Sequence, residues 1–417
     1  MNDEFFNDIQ IRYQDYRQIE EGIVSHDDIL VLANHMFKKY PMLRRIVKNK
    51  FHYILVDEYQ DTFFSVIEIL LDFLRRDNTH SNIIGFFGDS MQSIYNGRVG
   101  DLEKYCAENV VQNVVKDDNY RCSKAVIDLL NNIRNDIKQE PSGKNKRGSA
   151  KFLYTSGNAI SMFQLKQNQH FANWHFDDPK DTKELYLTHK LIAMENGFEE
   201  IYGVYRKNNE RLLKEDNQDR LIKHLFRIQE IVYLYQTSQF NEFMKKTDFK
   251  LKRLSDKQDL SVRIQKVLEA SQGTIDDVMH AVAEDGLINA DDRLADFTND
   301  NQKLYDEVLA MPYKQIECVF NYVKDFTPFS TQHNVKGAEF ENVLVVLDNG
   351  RWNDYNFKYL FENTAGKESI INRTKKIFYV CCSRTKDNLV VYFDNPSAIA
   401  LQEARNLFGN DNVIKLE

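Results

Sequence analysis

Apolar and polar positions along this chain predict strands and helices in turn. Tyr53-Ile54-Leu55-Val56 is a short apolar run, typical of a strand buried on both faces of a parallel sheet. Residues 63–74 have helical apolar spacing, and a second apolar run follows at 83–87. The pattern therefore predicts a strand–helix–strand unit. Further strands are predicted at 110–115, 151–154, 183–189, 329–333, 343–347 and 389–393.

Helical spacing dominates the other segments. Residues 1–50 are predicted to be mostly helical with a break at Pro41, and another helix is predicted from the N-cap Ser123 to about residue 137. Between 208 and 311 the helical spacing continues, glycines are few and proline is absent. This stretch is predicted to be a helical domain inserted between strands.

Composition narrows the class of protein. With 417 residues, 42% of them hydrophobic and 28% charged, the chain is long enough for two or three soluble domains. The net charge of −8 argues against a protein that coats nucleic acid over its whole surface. Basic clusters at 38–50, 144–151 and 245–253 either contact phosphates or form solvated helix faces.

Cysteine usage and hydropathy bear on location. The five cysteines form no CxxC pair, which favours reduced thiols over a zinc ribbon. No apolar run approaches the roughly 18 residues of a transmembrane helix, and the first ten residues lack the features of a signal peptide. We therefore predict a cytoplasmic protein without a membrane partner.

The first predicted strand ends at two acids, Asp57 and Glu58. Open α/β sheets bind ligands at the carboxyl ends of their strands. One acid there can hold Mg²⁺ on a nucleotide, and its neighbour can polarise an attacking water. The alternative is a solvated acidic turn.

Five ordered motifs extend this interpretation. DEYQDT at 57–62 and GDSMQSIY at 88–95 resemble motifs II and III of superfamily 1 helicases of the UvrD/Rep type. NYR at 119–121 is similar to a further element of that family, while 330–340 and 378–386 resemble its motifs V and VI. The resemblance implies an α/β fold of two RecA-like parallel-sheet motor lobes with an inserted helical subdomain. It divides the chain into a partial first lobe (1–112), a second lobe (113–207 and 316–417) and the insert (208–315).

The resemblance also implies roles in ATP hydrolysis, which depends on positioning and on electrostatic stabilisation. Asp57 would hold Mg²⁺, Glu58 would act as the base for water, and Gln92 would sense the γ-phosphate of ATP. The remaining roles fall to residues of the second lobe: phosphate contacts from Arg121 and Arg384, adenine stacking from Tyr120, and a ribose contact or a coupling role from Glu339. For each arginine the alternative is a surface salt bridge.

DNA contacts are implied as well. Tyr95 and His333 would face single-stranded DNA, where flat rings give sequence-tolerant stacking. Arg98 and Lys336 would complete the DNA set, with Lys336 in a loop that approaches a phosphate. The alternatives are a core aromatic for Tyr95, a satisfied loop histidine for His333, and a strand-entry turn around Lys336.

Two departures from the family limit these expectations. Members carry a tryptophan where this chain has Gly97, so either base stacking is lost there or another ring such as Tyr105 substitutes. The chain also contains no GxxxxGK[ST] phosphate loop, since Gly143-Lys144 and Gly366-Lys367 lack the other required residues. The sheet of a first lobe without that loop and its strands would lose its central strand and expose buried apolar edges.

The sequence therefore predicts a UvrD/Rep-like ATP-dependent DNA helicase with 3′→5′ translocation, represented by a chain that is partial or inactive alone. Two alternatives stay open: a non-enzymatic scaffold that binds DNA or a nuclease, and one half of a split motor whose partner supplies the phosphate loop. The compact insert is compatible, by analogy, with relatives paired with nucleases in phage defence. A role in repair, recombination or defence stays open too.

Overall fold

The computed structural model describes residues 10–14, 16–76, 82–95, 97–157, 160–253, 255–348 and 352–416. The chain divides into two compact units. Unit 1 comprises Met1–Asp118, Ile133–Glu140 and Lys375–Val380, and unit 2 comprises the rest. Parallel sheets and helices occur in a mixed α/β arrangement, which confirms the predicted fold class.

Unit 1 begins with two short strands and two helices. Ser25 and Asp28 form a capping box that starts the first helix, and Pro41 occupies the first turn of the second, where proline is tolerated. The predicted break at Pro41 is therefore confirmed. The elements are β1 Arg12–Tyr13, β2 Ile23–Val24, α1 His26–Lys39, α2 Pro41–Lys50, β3 Tyr53–Val56, α3 Phe64–Ile67 with a π-helix at Glu68–Leu74, β4 Ile83–Phe86 and α4 Glu103–Ala107.

Strands β3 and β4 pair in parallel, with Tyr53 opposite Ile83 and Val56 opposite Phe86. Alternate side chains of a strand point to opposite faces. One face of this pair, which includes Ile54 and Val56, packs on a cluster that contains Leu74. The other face leaves Tyr53 69%, Leu55 66% and Ile83 60% exposed. The prediction that the first strand is buried on both faces is thus wrong for the described residues.

The apolar run at 110–115 is not a strand. The backbone N–H groups of Val110 and Val111 donate to the carbonyl of Tyr105 at 2.9 and 3.2 Å, and Asn109 has a φ of 55°. These bonds close the carboxyl end of α4, so the run leaves the helix as a turn. Val114 and Val115 are exposed. The predicted strand is wrong because a carbonyl at the end of α4 accepts hydrogen bonds from the first two backbone N–H groups of the run.

The second part of the chain continues the alternation of strands and helices. Its elements, in chain order, are β5 Asp118–Asn119, α5 Lys124–Ile133, β6 Glu140–Pro141, β7 Ser149–Tyr154, α6 Met162–Lys166, β8 Thr182–Tyr186, α7 His189–Asn196, α8 Glu199–Val204, α9 Glu210–Leu213, α10 Arg220–Gln236, α11 Phe240–Lys246, α12 Asp256–Ala270, α13 Ile275–Glu284, α14 Asp292–Asp300, α15 Gln302–Leu309, α16 Lys314–Val323, β9 Phe329–Thr331, β10 Phe340–Val346, α17 Phe357–Glu362, α18 Glu368–Cys382, β11 Thr385–Phe393, α19 Ala398–Phe408 and β12 Val413–Lys415.

A six-stranded sheet forms the centre of unit 2, in the order β12-β7-β11-β10-β8-β9. Its pairs are parallel, with Leu344 of β10 between Val390 of β11 and Glu184 of β8. Residues 343–345 are fully buried, as expected of a strand covered on both faces. The predicted strands at 151–154, 343–347 and 389–393 are confirmed within one residue at the carboxyl end, although all three begin earlier than predicted.

Helices fill the segment between α7 and β9. Helix α10 is the centre of this segment, and α11, α12, α14 and α16 pack against it. The described residues of 208–311 contain no strand, in agreement with the predicted helical stretch. In the described part of the chain, no helix is long and apolar enough to span a bilayer. The boundaries proposed for the lobes and the insert stay predictions.

The uncovered face of β3 and β4 predicts a large contrast between two leucines of unit 1. Leu55→Ala should change the free energy of unfolding by less than about 0.5 kcal/mol, because its side chain is mostly in water. Leu74→Ala should cost about 2–5 kcal/mol, because Leu74 is 1% exposed beneath the opposite face of the same strands. Urea unfolding of the two variants measures both values. Equal costs would mean that the outer face is covered in solution.

Candidate functional site

The acids at the end of β3 are held by a buried glutamine. Asp57 and Glu58 are exposed, and Glu58 has a left-handed backbone with φ 48°. The side chain of Gln60 is fully buried; its Nε2 donates to Glu58 Oε2 at 2.5 Å, and its Oε1 accepts from the backbone N–H of Asp89 at 3.2 Å. Gly88 leaves the space for this contact, since a Cβ there would lie 2.1 Å from Gln60 Oε1. Gln60 therefore joins the two predicted motifs of unit 1.

Asp89 is the polar centre of the second motif. Its Oδ1 accepts from the backbone N–H of Met91 at 3.0 Å, which caps the short 3₁₀ turn Ser90–Gln92. The Nε2 of Gln92 lies 3.5 Å from Asp89 Oδ2. The structure thus brings Glu58 and Gln92 to one polar region, with Gln60 and Asp89 between them.

Arg134 closes this polar region from a later part of unit 1. It is 4% exposed, and its two Nη atoms donate to the two carboxylate oxygens of Asp89 at 3.0 and 3.1 Å. Nε and Nη2 donate to Asp136 at 2.8 Å, and Nη1 also donates to the Tyr379 hydroxyl at 2.7 Å. All five N–H groups of the guanidinium therefore have an acceptor. The Arg134 guanidinium also lowers the pKa of Asp136, chiefly by hydrogen bonding.

The residues after this motif differ in exposure. Tyr95 is exposed, as a DNA-stacking ring requires. The guanidinium of Arg98 lies 3.4 Å from the centre of the Phe63 ring, a cation–π contact. Tyr105 is 2% exposed and donates its hydroxyl hydrogen to Asp72 at 2.9 Å. Tyr105 therefore cannot substitute for the tryptophan that Gly97 replaces, because its ring is buried inside unit 1.

In unit 2 the structure brings three of the predicted ATP-site residues together. The Asn119 side chain accepts from the backbone N–H of Arg121 at 3.0 Å, which fixes the turn. Arg121 Nε donates to Glu339 at 2.9 Å, and its Nη1 lies 3.4 Å from the carbonyl oxygen of Ser383. Tyr120, next to Arg121, is exposed. The arginine proposed to bind phosphate is thus paired with a partly exposed carboxylate.

Arg384 lies at the same place in a different environment. Its side chain is 1% exposed, and Nη1 donates to the Ala338 carbonyl at 3.4 Å. Its own carbonyl accepts from the N–H of Phe340 at 2.9 Å, next to Glu339. The structure therefore places Arg384 beside the segment that pairs with Arg121, but buried. Its phosphate contact stays a prediction.

The predicted DNA residues of unit 2 follow β9 in a turn at 332–337. His333 is half-buried, and its Nε2 lies 2.9 Å from the Tyr355 hydroxyl. Burial lowers the pKa of His333 to about 4. Burial is also the main cause that lowers the pKa of His189 to about 4, with a smaller contribution from the charge of His333. Lys336 is half-buried in the same turn. His333 is therefore neutral near pH 7, and its contact with DNA stays a prediction.

The donor set of unit 1 fits a nucleotide-bound Mg²⁺ in part. Mg²⁺ is held in phosphate-transfer sites by one or two carboxylates, waters and the phosphates themselves. Asp57 supplies an exposed carboxylate at the strand end, and its Oδ1 accepts only a local N–H, that of Glu58 at 3.0 Å, among the contacts described. The residues that hold the phosphates in a motor of this kind, the GxxxxGK[ST] loop, have no counterpart in the sequence.

Three residues of this region, Gln60, Arg134 and Asp136, have no role predicted from the sequence. Gln60 belongs to the DEYQDT motif, so its position was a usable signal. Arg134 and Asp136 lie in a segment that the sequence pattern assigns to a helix, with no motif around them. Only the fold of unit 1 brings Arg134 to Asp89, 45 positions earlier in the chain.

Comparisons with known proteins agree with the resemblance to superfamily 1 helicases. Residues 1–110 match the UvrD/REP helicase N-terminal domain. The chain is similar to the Gabija protein GajB of Bacillus cereus (strain HuB5-5). The identity is 26% over an alignment of 482 residues, which covers 97% of this chain and 69% of GajB. It is 28% identical over 128 residues to the ATP-dependent DNA helicase PcrA of Staphylococcus aureus, which cover 29% of this chain and 17% of PcrA. A probable DNA helicase II homolog of Rickettsia felis is 28% identical over 171 residues, which cover 39% of this chain and 24% of that protein.

The parallel α/β fold, the acidic strand end and these similarities define a helicase-type protein. Within that class, the chain is similar to the UvrD-like superfamily 1 helicases. The aligned part of PcrA is less than a fifth of that protein, so the match bears on the family and not on the activity of whole PcrA.

Removal of the buried guanidinium should destabilise unit 1. Arg134→Met leaves Asp89 and Asp136 without their cation, and breaking a buried ion pair from one side costs about 3–5 kcal/mol. Because Asp136 is half exposed, we expect a value near the lower end of this range from urea unfolding. Arg76→Met is the matched control, since Arg76 forms exposed pairs with Asp72 and Glu108 and should lose less than about 1 kcal/mol. Similar losses in both variants would contradict the buried network.

The lowered pKa of His333 predicts a pH dependence. The unfolded histidine binds a proton near pH 6.5, whereas the folded one binds it only near pH 4. Between these values the unfolded state holds more protons, so stability is fully present above pH 6.5 and falls as the pH drops towards 4. Urea unfolding at about pH 5.5 and 7.5 should show this fall, and His333→Gln should reduce it. His175→Gln, an exposed histidine of unit 2, should leave it unchanged; an unaltered fall in His333→Gln would exclude His333 as a source.

Proposed function

We propose that this chain carries the larger part of an ATP-driven motor that moves 3′→5′ on single-stranded DNA and unwinds duplex DNA. Similarity to this family supports the class of activity. The observation that carries the proposal is the contact of buried Gln60 with both Glu58 and the backbone of Asp89. A solvated acidic turn needs no buried amide beneath it. A catalytic base needs such an amide, because it must keep its orientation while a second motif responds to the nucleotide.

The residues of unit 1 divide the work of hydrolysis. When bound, Mg²⁺ neutralises charge on the β- and γ-phosphates. Asp57 would hold that ion, while Glu58 orients the attacking water and accepts its proton. Gln60 restricts Glu58 to one orientation. Gln92, next to Asp89, would contact the γ-phosphate. Loss of this phosphate would therefore change the contacts of the same polar region.

The arginines of unit 2 would contribute the opposing charge. Arginine suits this role because its planar fork stays charged and binds oxyanions in a bidentate manner. Arg121 already holds an anionic partner, the exposed carboxylate of Glu339. A phosphate can compete for this guanidinium, since an exposed pair is weak. We propose that Arg121 exchanges Glu339 for phosphate, with Arg384 as the second cation and Tyr120 as a surface for adenine.

The 417 residues contain no GxxxxGK[ST] phosphate loop. Without its backbone N–H groups and lysine, the acids hold a nucleotide weakly. The exposed face of Tyr53, Leu55 and Ile83 is apolar surface that a further helix would cover. We therefore propose that this chain alone is a partial motor, completed by a loop on the same polypeptide or on a partner chain.

A second candidate is a scaffold that binds DNA or a nuclease without hydrolysing ATP. The missing loop favours it, and so does the burial of Arg384. Similarity to the Gabija protein GajB, which covers most of both chains, is compatible with either candidate. The retained set of Asp57, Glu58, Gln60 and Gln92 favours the motor, because a scaffold has no use for this arrangement.

Hydrolysis assays distinguish the two candidates. The chain as given should bind single-stranded DNA but hydrolyse ATP near background, because its phosphate contacts are incomplete. Extension with an in-frame GxxxxGK[ST] segment should give hydrolysis that single-stranded DNA stimulates. Glu58→Gln should then lower the rate by about 10²–10⁴-fold, the usual contribution of a general base.

Glu103→Gln is the matched control, since Glu103 is an exposed acid of the same unit outside the motifs. It should leave the rate unchanged. Robust DNA-stimulated hydrolysis by the unextended chain would refute the partial motor. An extended chain that is inactive, or that keeps its full rate in the Glu58→Gln variant, would refute the proposed catalytic set and leave the scaffold.

A further inference from the structure

An aromatic cluster lies beside the predicted DNA turn of unit 2. The ring of Trp352 is 5.4 Å from that of His333 and 5.0 Å from that of Tyr355, and the His333 and Tyr355 rings are 5.3 Å apart. The three rings differ in exposure. Tyr355 is buried, His333 is half-buried, and Trp352 is 40% exposed. Trp352 is therefore the ring of this cluster that presents the most surface to a ligand.

The segment that carries Trp352 is anchored to helix α18. Asp354 pairs with Arg373 at 3.0 Å, and the backbone N–H of Asn356 donates to Thr374 Oγ1 at 3.0 Å. Tyr355, between these anchors, is held by its contact with His333. Trp352 packs on Tyr355 and His333, and a ring whose neighbours are held in this way loses little conformational freedom when a flat ligand stacks on it.

Other rings are less suited to this task. Position 97, where relatives carry a tryptophan, is glycine, and Tyr105 is buried. The second tryptophan of the chain, Trp174, packs against Phe171 and Phe176 at 5.0 and 5.8 Å and joins the core of unit 2. His333 has its Nε2 and its ring engaged within the cluster. Of the two tryptophans, only Trp352 therefore stands at a predicted DNA surface.

We propose that Trp352 is a base-stacking residue for single-stranded DNA, with His333 and Tyr355 as the rings that position it. The proposal rests on the DNA-binding part of the proposed function. A stacked base needs an exposed π-face and tolerates any sequence, which suits a translocating motor. Lys336, in the same turn as His333, supplies a cation for the DNA backbone.

The two tryptophans allow a direct test in the full-length chain. In a Trp174→Phe background, Trp352 is the single indole, and titration with oligo(dT) should quench its fluorescence. In Trp352→Phe the remaining Trp174 should keep its signal. Anisotropy of a fluorescein-labelled oligo(dT) reports binding independently, and Trp352→Ala should weaken that binding about tenfold or more. Trp352→Phe, which keeps a ring, should lose less than the alanine variant.

Ile399→Ala is the control for the removal of exposed apolar surface, since Ile399 is exposed in unit 2. It should leave binding unchanged, and circular-dichroism melts check that each variant is folded. Binding without quenching, or binding equal in Trp352→Ala and Ile399→Ala, would overturn the stacking role and leave DNA binding in place. Absence of binding by the unaltered chain would overturn both the stacking role and the DNA-binding part of the proposed function.

Discussion

The buried amide of Gln60 is the contact on which the acidic strand end and the polar loop after β4 both depend. Its two ends bond the Glu58 carboxylate at the end of β3 and the backbone N–H of Asp89 in the loop after β4. Because Gln60 is buried, loss of these bonds would reduce the stability of the fold: a buried amide without partners costs about 1–3 kcal/mol of folding free energy. Gly88 is needed at the close approach because any larger residue would displace the amide oxygen. The orientation of Glu58 is therefore a property of packing and not of the exposed turn alone.

Arg134 extends the same principle to the other side of Asp89. Desolvation of a guanidinium is costly, and it is offset here because all five N–H groups find acceptors. The pairing couples the capped turn that carries Gln92 to Asp136 and Tyr379. In unit 2, Arg121 forms a contrasting pair with Glu339 that is partly in water. The buried pair fixes structure, whereas the exposed pair is open to exchange.

The pattern of apolar residues predicted the positions of several strands and helices. The strands at 53–56 and 343–347 and the helical stretch at 208–311 follow from spacing alone. Prediction failed where a neighbouring element decided the outcome. The run at 110–115 became a turn because a carbonyl at the end of α4 accepts the N–H groups of Val110 and Val111. Exposure of one face of β3 could not be read from an apolar run, since burial depends on what covers the sheet.

By itself the sequence determined the resemblance to superfamily 1 helicases, the order of the motifs and the acids, glutamine and arginines they carry, because these are set by residue type and spacing. The tertiary structure alone decided which of those residues have partners. In the folded chain Arg384 and Tyr105 are buried. His333 contacts Tyr355, and Arg134 bonds Asp89. The physical reason is that burial and hydrogen bonding depend on contacts between segments far apart in the chain, which local spacing does not encode.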